Sequence, residues 1–351
     1  MVNTSHRPIF VVGAPRSGTT LLQQMLHAHR NIAVAPETHV TMKPYERRLT
    51  FGDLSRAENR RRLGEWLTRT EKIGFRKLGL DADMIVEQIV RAPPTLGSVL
   101  ATVFRAYARQ HGKGRWGDKR PGHIQKVPKL RRMFPDAQFV HLIRDGRDAV
   151  SSLNAMPWYG GDLYTAILTW RDAVDTGRRL AAGLGPDGYF ELRYEDLVTA
   201  TERELTKLCA FLGEDFDPAM LESHRLARRQ WPRRRAWHRR TYEAANDQRV
   251  GAWADRFEPW EAGVVEHTLR ARLADHAYEP APVPGPAASA RVRLRRAAMR
   301  RWSTRRRRAI RETYARLREP NPVVSHLTGT PITERPTAEM PTAEPADPFR
   351  P

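Results

Sequence analysis

Residues 8–20, PIFVVGAPRSGTT, restrict the fold more than any other stretch. An apolar run of strand type stops at Gly13, and the spacing G-x4-G-T-T leads into a helical pattern through Gln23, Met25 and Leu26. A strand that turns through glycines into a helix aims backbone N–H groups at one point, and such a point holds phosphate oxygens. The loop consists of Gly13, Ala14, Pro15, Arg16, Ser17, Gly18, Thr19 and Thr20. Loops of this spacing that bind nucleoside triphosphates carry a lysine where Thr19 stands, so triphosphate hydrolysis is disfavoured. The bland reading of the stretch is a glycine turn without a ligand.

Three more runs read as strands: residues 31–34 (NIAV), 138–143 (QFVHLI) and 189–192 (YFEL). Helical patterns separate them, which predicts an α/β chain built on a P-loop-like parallel sheet flanked by helices. Each strand is followed by polar residues, and ligands of open α/β sheets bind beyond the carboxyl ends of the strands. Residues 42–109 read mainly as helices and are expected to form an insertion covering the site. Thr201 and Glu204 have capping-box spacing before Leu205, Leu208, Cys209 and Leu212. The lone Cys209 is therefore expected in the core rather than in thiolate chemistry.

The run after QFVHLI is Arg144-Asp-Gly-Arg147-Asp, with Ser151 and Ser152 one to two turns into the next helix. An arginine at a strand end and a hydroxyl eight residues later grip a second phosphate from two directions. Alternatively, Asp145 and Arg147 cap and pair, and Ser152 is a small packing residue. Asp145 lies between two arginines, so it is poorly suited to hold Mg2+.

Together these residues resemble the PAPS-dependent sulfotransferase family, and within it the tyrosylprotein sulfotransferase-like enzymes, through PRSGTTLL, HAHRNIAVAPETH and RDGR with its later serine. The resemblance runs over most of residues 8–270 and implies the sulfotransferase fold, PAPS as co-substrate, PAP as product and no metal. It implies that residues 13–20 hold the 5′-phosphosulfate and that Arg144 and Ser152 hold the 3′-phosphate. Glu37 matches the family's carboxylate base, Lys119 the lysine at the bridging oxygen, and Tyr194 the tyrosine against the adenine. Arg16 is expected as a second catalytic cation, and Arg120 competes with Lys119. A departure is Ala252, which stands where the tyrosine enzymes have a lysine before a tryptophan. Arg249, or an arginine among residues 233–240, is left to replace that charge.

Charge organises the rest of the 351-residue chain. Residues 291–318 hold 13 arginines and one acid, a net +12 of the total +20. Proline-rich residues 281–290 read as a linker. The expected organisation is a sulfotransferase domain over 1–280, that linker, a basic amphipathic helix over 291–318 and a disordered tail over 319–351. Leu294, Ala298, Trp302, Ile310, Tyr314 and Leu317 fall near one face of the helix, which then lies on an anionic membrane, docks on the body or touches nucleic acid, the last being the weakest reading. One cysteine excludes a disulfide scaffold, and no apolar run approaches a membrane span, which sets the expectation of a cytoplasmic chain, peripheral on the membrane at most. The leading expectation is sulfuryl transfer from PAPS to a hydroxyl or amine. Its rivals are a small-molecule kinase and a noncatalytic anion- or membrane-surface binder.

Overall fold

The computed structural model describes residues 6–225, 245–327 and 332. Five parallel strands, β1 (Ile9–Gly13), β2 (Ile32–Ala35), β3 (Arg115–Lys119), β4 (Gln138–Ile143) and β5 (Tyr189–Arg193), lie in the order β2-β3-β1-β4-β5. The helices are α1 (Thr19–Ala28), α2 (Met42–Glu46), α3 (Ala57–Arg69), α4 (Ala82–Arg91), α5 (Leu96–Gln110), α6 (Val127–Met133), α7 (Gly146–Asn154), α8 (Leu163–Leu184), α9 (Tyr194–Thr199), α10 (Thr201–Leu212), α11 (Pro259–Asp275) and α12 (Ala288–Leu317).

Side chains alternate along the buried strands, as the pleat requires. Ile9 and Val11 face a core with Leu22, Leu205 and Cys209, whereas Phe10 and Val12 face a second core with Phe104, Trp116 and Trp170. Both faces of the sheet are thus covered, the normal state of an all-parallel sheet. The connection leaving β1 runs toward β2 on one side, and that leaving β4 runs toward β5 on the other. The crevice between β1 and β4 is therefore the topological switch point.

Strand β3 was not expected from its sequence, RWGDK. Its buried Arg115 is satisfied by the carbonyls of Arg7 and Leu212, by Gln138 and by Glu214. Instead of an insertion, α5 is a crossover helix on β2 and β3. The capping box expected at Thr201 and Glu204 is absent. The residue before α10 is Ala200, with no side-chain cap, and Glu204 pairs with Arg203 and Lys207. A capping box does form at Glu258 and Glu261, opening α11.

The expected boundaries shift at the C-terminal end. Helix α12 begins at Ala288, three residues earlier than expected, and the otherwise largely exposed proline segment touches α11 where Gly263 leaves no room for a Cβ beside the Pro284 carbonyl. Residues 319–327 were expected to be disordered. Instead Glu319 bonds Arg48 and Arg132, Gly97 N–H donates to the Val323 carbonyl, and Ser325 N–H to the Met133 carbonyl. The arginines of residues 233–240 lie outside the described residues. Among those described, no helix is long and apolar enough to cross a membrane.

Candidate active site

All five strands point their carboxyl ends the same way, and the sequence-predicted residues gather there. In the loop after β1, Arg16 adopts φ 71° and Gly18 φ 90°, left-handed conformations that turn successive backbone amides inward. At Gly18 the conformation and the space both demand glycine, since a Cβ would lie 2.5 Å from Tyr194 Cδ2. Helix α1 starts without a side-chain cap, leaving its first N–H groups to a ligand.

At one end of the crevice, Arg16 Nε donates to Ser152 Oγ at 3.1 Å, and Arg144 Nη1 to the Arg16 carbonyl at 3.3 Å. Arg144 also bonds the Arg249 carbonyl and stacks its guanidinium over the Tyr194 ring, 4.9 Å from the centroid. Burial, reinforced by Arg249, Arg144 and Arg256, pulls the Arg16 guanidinium down to about 10. This cluster concentrates positive charge, with Asp148 pairing Arg144 at 3.3 Å. Two of its donors, Ser17 Oγ and Arg144 Nε, are buried without a hydrogen-bond partner among the described residues. Such atoms cost stability until a ligand satisfies them.

At the other end, Lys119 Nζ donates to Thr20 Oγ1 at 3.2 Å and to Glu37 Oε2 at 3.1 Å. Arg120 lies 3.9 Å from Glu37 Oε1, and Lys77 donates to the Glu37 carbonyl. Burial pushes the Glu37 carboxyl up, but Lys119, Arg120 and Lys77 outweigh it and hold the group below its usual range. Glu37 is therefore an ionised carboxylate facing the end of the phosphate loop.

Arg16 lies on the Ser152 side of the loop. Its guanidinium, expected as a second catalytic cation, bonds Ser152 and lies in the cluster with Arg144 and Arg249. Arg249 comes from the loop before α11, which Asp148 fastens to α7 by accepting the N–H groups of Gly251 and Trp253 at 3.0 and 2.8 Å. That loop thus brings the Arg249 charge close to the Arg16 guanidinium, although Ala252 carries none. Asp145 caps α7 and pairs with Arg147 at 2.6 Å.

Sequence reasoning missed several supporting residues. Asp148 was visible only as one acid of the RDGRD run. Lys77 comes from a short turn with no motif. Behind Glu37, Thr41 donates to Asp118 Oδ2 at 3.1 Å, and His123 Nδ1 lies 3.5 Å from the same oxygen. Burial pushes Asp118 up to about 7 and His123 down to about 3, so both are held uncharged near pH 6. Two charge-suppressed groups beneath a charged pair give Glu37 and Lys119 a floor with little competing charge.

A family model described as sulfotransferase family matches residues 8–218. Protein-tyrosine sulfotransferase 2 of Gallus gallus is 26% identical over 224 residues, covering 62% of this chain and 54% of that protein. Protein-tyrosine sulfotransferase 1 of Homo sapiens is 28% identical over 220 residues, covering 61% and 53%. The chain spans about half the length of these curated relatives. Among solved structures, the sulfotransferase domain from the Synechococcus PCC 7002 olefin synthase superposes with a TM-score of 0.56 at 24% identity, covering 80% of this chain and 98% of that one. The sulfotransferase domain from the curacin biosynthetic pathway gives 0.55 at 20% identity, covering 78% and 98%. These two likenesses concern the fold.

Proposed function

The chain belongs to the sulfotransferase family, and from that membership and the geometry of its site we propose that it transfers a sulfuryl group from PAPS to a hydroxyl or amine acceptor. One observation carries the reading: a single ammonium, Lys119 Nζ, contacts both the phosphate loop at Thr20 and the carboxylate of Glu37.

The residues present suit the donor. The backbone amides of residues 13–20 would take the 5′-phosphosulfate, and the side chains of Arg144, Ser152, Arg16 and Arg249 the 3′-phosphate, with Ser17 Oγ and Arg144 Nε finding the acceptors they lack. When bound, PAPS supplies a sulfuryl group whose S–O bond to the 5′-phosphate breaks as the acceptor's bond to sulfur forms, releasing PAP. Glu37 receives the proton of the acceptor hydroxyl or amine at Oε1 or Oε2. Lys119 places a compact positive charge where negative charge develops, and the loop amides hold the phosphate in line. The curated relatives are named for protein tyrosine, so a tyrosyl peptide is the first acceptor to try.

Calorimetric titration with PAP, followed by label transfer from radiolabelled PAPS to a tyrosyl peptide, a simple phenol and an amine, tests the proposal. Saturable PAP binding and label on an acceptor are expected. Folded protein that binds no PAP at millimolar concentration overturns it. ATP in the same titration separates the reading from a kinase.

A further inference from the structure

Helix α12 has two long faces of opposite character. Toward the body, Ala290 and Ala297 are buried, Leu294 and Ala298 pack on the core, and Arg301 and Arg305 reach Asp172 at 2.6 and 2.7 Å. Further along, Glu312 accepts from Lys129, Tyr45 and Arg48. The apolar face read from the sequence is thus split: Leu294 and Ala298 turn inward, while Trp302, Ile310, Tyr314 and Leu317 are exposed together with Val292 and Met299.

These six side chains form a stripe about 37 Å long at 1.5 Å per residue. Arg295, Arg296, Arg306 and Arg307 flank it, all exposed and without an acidic partner among the described residues. Arg306 stacks over Trp302 and Arg318 over Tyr314, at 5.6 and 4.6 Å. We propose that this outward face of α12 is a docking surface for an anionic lipid bilayer, the stripe entering the headgroup region and the flanking arginines meeting lipid phosphates and carboxylates. Charge complementarity selects that occupant. A second copy would set arginine against arginine, and a nucleic acid would leave Met299, Ile310 and Leu317 in water. The ion pairs to Asp172 and Glu312 fix the helix so that only this face is offered.

The test is co-sedimentation of the full chain with vesicles of phosphatidylcholine alone or mixed with phosphatidylserine, at two salt concentrations. Binding to the anionic vesicles only, weakened by salt, is expected. Arg295→Gln and Arg306→Gln should each lower it about five-fold. The triple change Trp302→Ser, Ile310→Ser and Leu317→Ser should lower it by on the order of 100-fold with the thermal midpoint unchanged, because all three side chains are exposed. Absent binding, equal binding to neutral vesicles, or binding indifferent to the triple change overturns the proposal. So does duplex DNA bound as tightly as the anionic vesicles and equally indifferent to that change.

Discussion

The Arg16 guanidinium and the Ser152 hydroxyl, 136 positions apart in the chain, meet in a hydrogen bond of 3.1 Å. That bond joins the loop after β1 to the helix after β4, across the crevice where the strand connections diverge. Two polar clusters that are separate in sequence adjoin in the folded protein.

Removing members of this cluster should weaken nucleotide binding. Arg144→Ala should raise the PAP dissociation constant about 100-fold and Ser152→Ala about 10-fold, the usual scale for hydrogen bonds to a charged partner. Isothermal titration reads both. Unchanged affinity in the pair would detach α7 from the nucleotide.

Glu37→Gln keeps the shape of the side chain and removes the proton acceptor. Turnover should fall by on the order of 10²–10⁴, while PAP affinity stays near that of the unaltered protein. Equal turnover would exclude Glu37 as the base.

The ion pair sets the pH range. Burial raises the Glu37 carboxyl, and Lys119, together with Arg120 and Lys77, more than reverses this. The pair's contribution is present above the unfolded glutamate value of about 4.3 and is lost as pH falls through the lower folded value. Lys119→Met should therefore move the acid limb of the pH–rate profile upward while lowering the plateau. A limb that stays in place would show that Lys119 does not govern the carboxylate.

At Gly18 the prediction concerns the backbone. Alanine there meets the Tyr194 ring at φ 90°, and the strain should cost about 1–3 kcal/mol. Denaturant unfolding measures it, and PAP affinity should fall in parallel. Full stability would mean that the ring and loop shift at little cost.

Asp118 gives a stability signature. Its folded value of about 7 lies above the unfolded one, so the folded state binds the extra proton. Stability should fall as pH rises from about 4 toward 7 and level off above that. Asp118→Asn should flatten the curve by on the order of a few kcal/mol, read from urea midpoints at several pH values. Parallel curves would show that the carboxylate ionises in the fold without penalty.

The elements legible in the sequence were those whose local pattern and tertiary role agree. Strand β1 with its glycine loop and strand β4 with Arg144 are apolar runs ending in polar clusters, and both were read close to their observed limits. Strand β3 was not, because Arg115, Gly117, Asp118 and Lys119 suit a strand only through partners elsewhere in the chain, such as Glu214 for Arg115. The same reason hid Asp148, whose acceptor role exists only once residues 251 and 253 return to α7. Glu37 and Lys119 came from a family resemblance, and no local pattern could have told that their side chains meet. The tail boundary failed because residues 319–327 carry two prolines and no periodic pattern, yet Val323 enters the core and hydrogen bonds tie the segment to Arg48, Arg132 and the backbone of α5 and α6.

The inward grip of α12 also governs how this protein can be shortened. A chain ending before Ala288 would strip Asp172 of two guanidinium partners and leave Arg48, Lys129 and Tyr45 facing the place Glu312 now fills. A cut at the proline-rich segment would therefore remove ion pairs that the body itself uses. Neutral substitutions at Asp172 and Arg48 would spare a shortened chain those uncompensated charges.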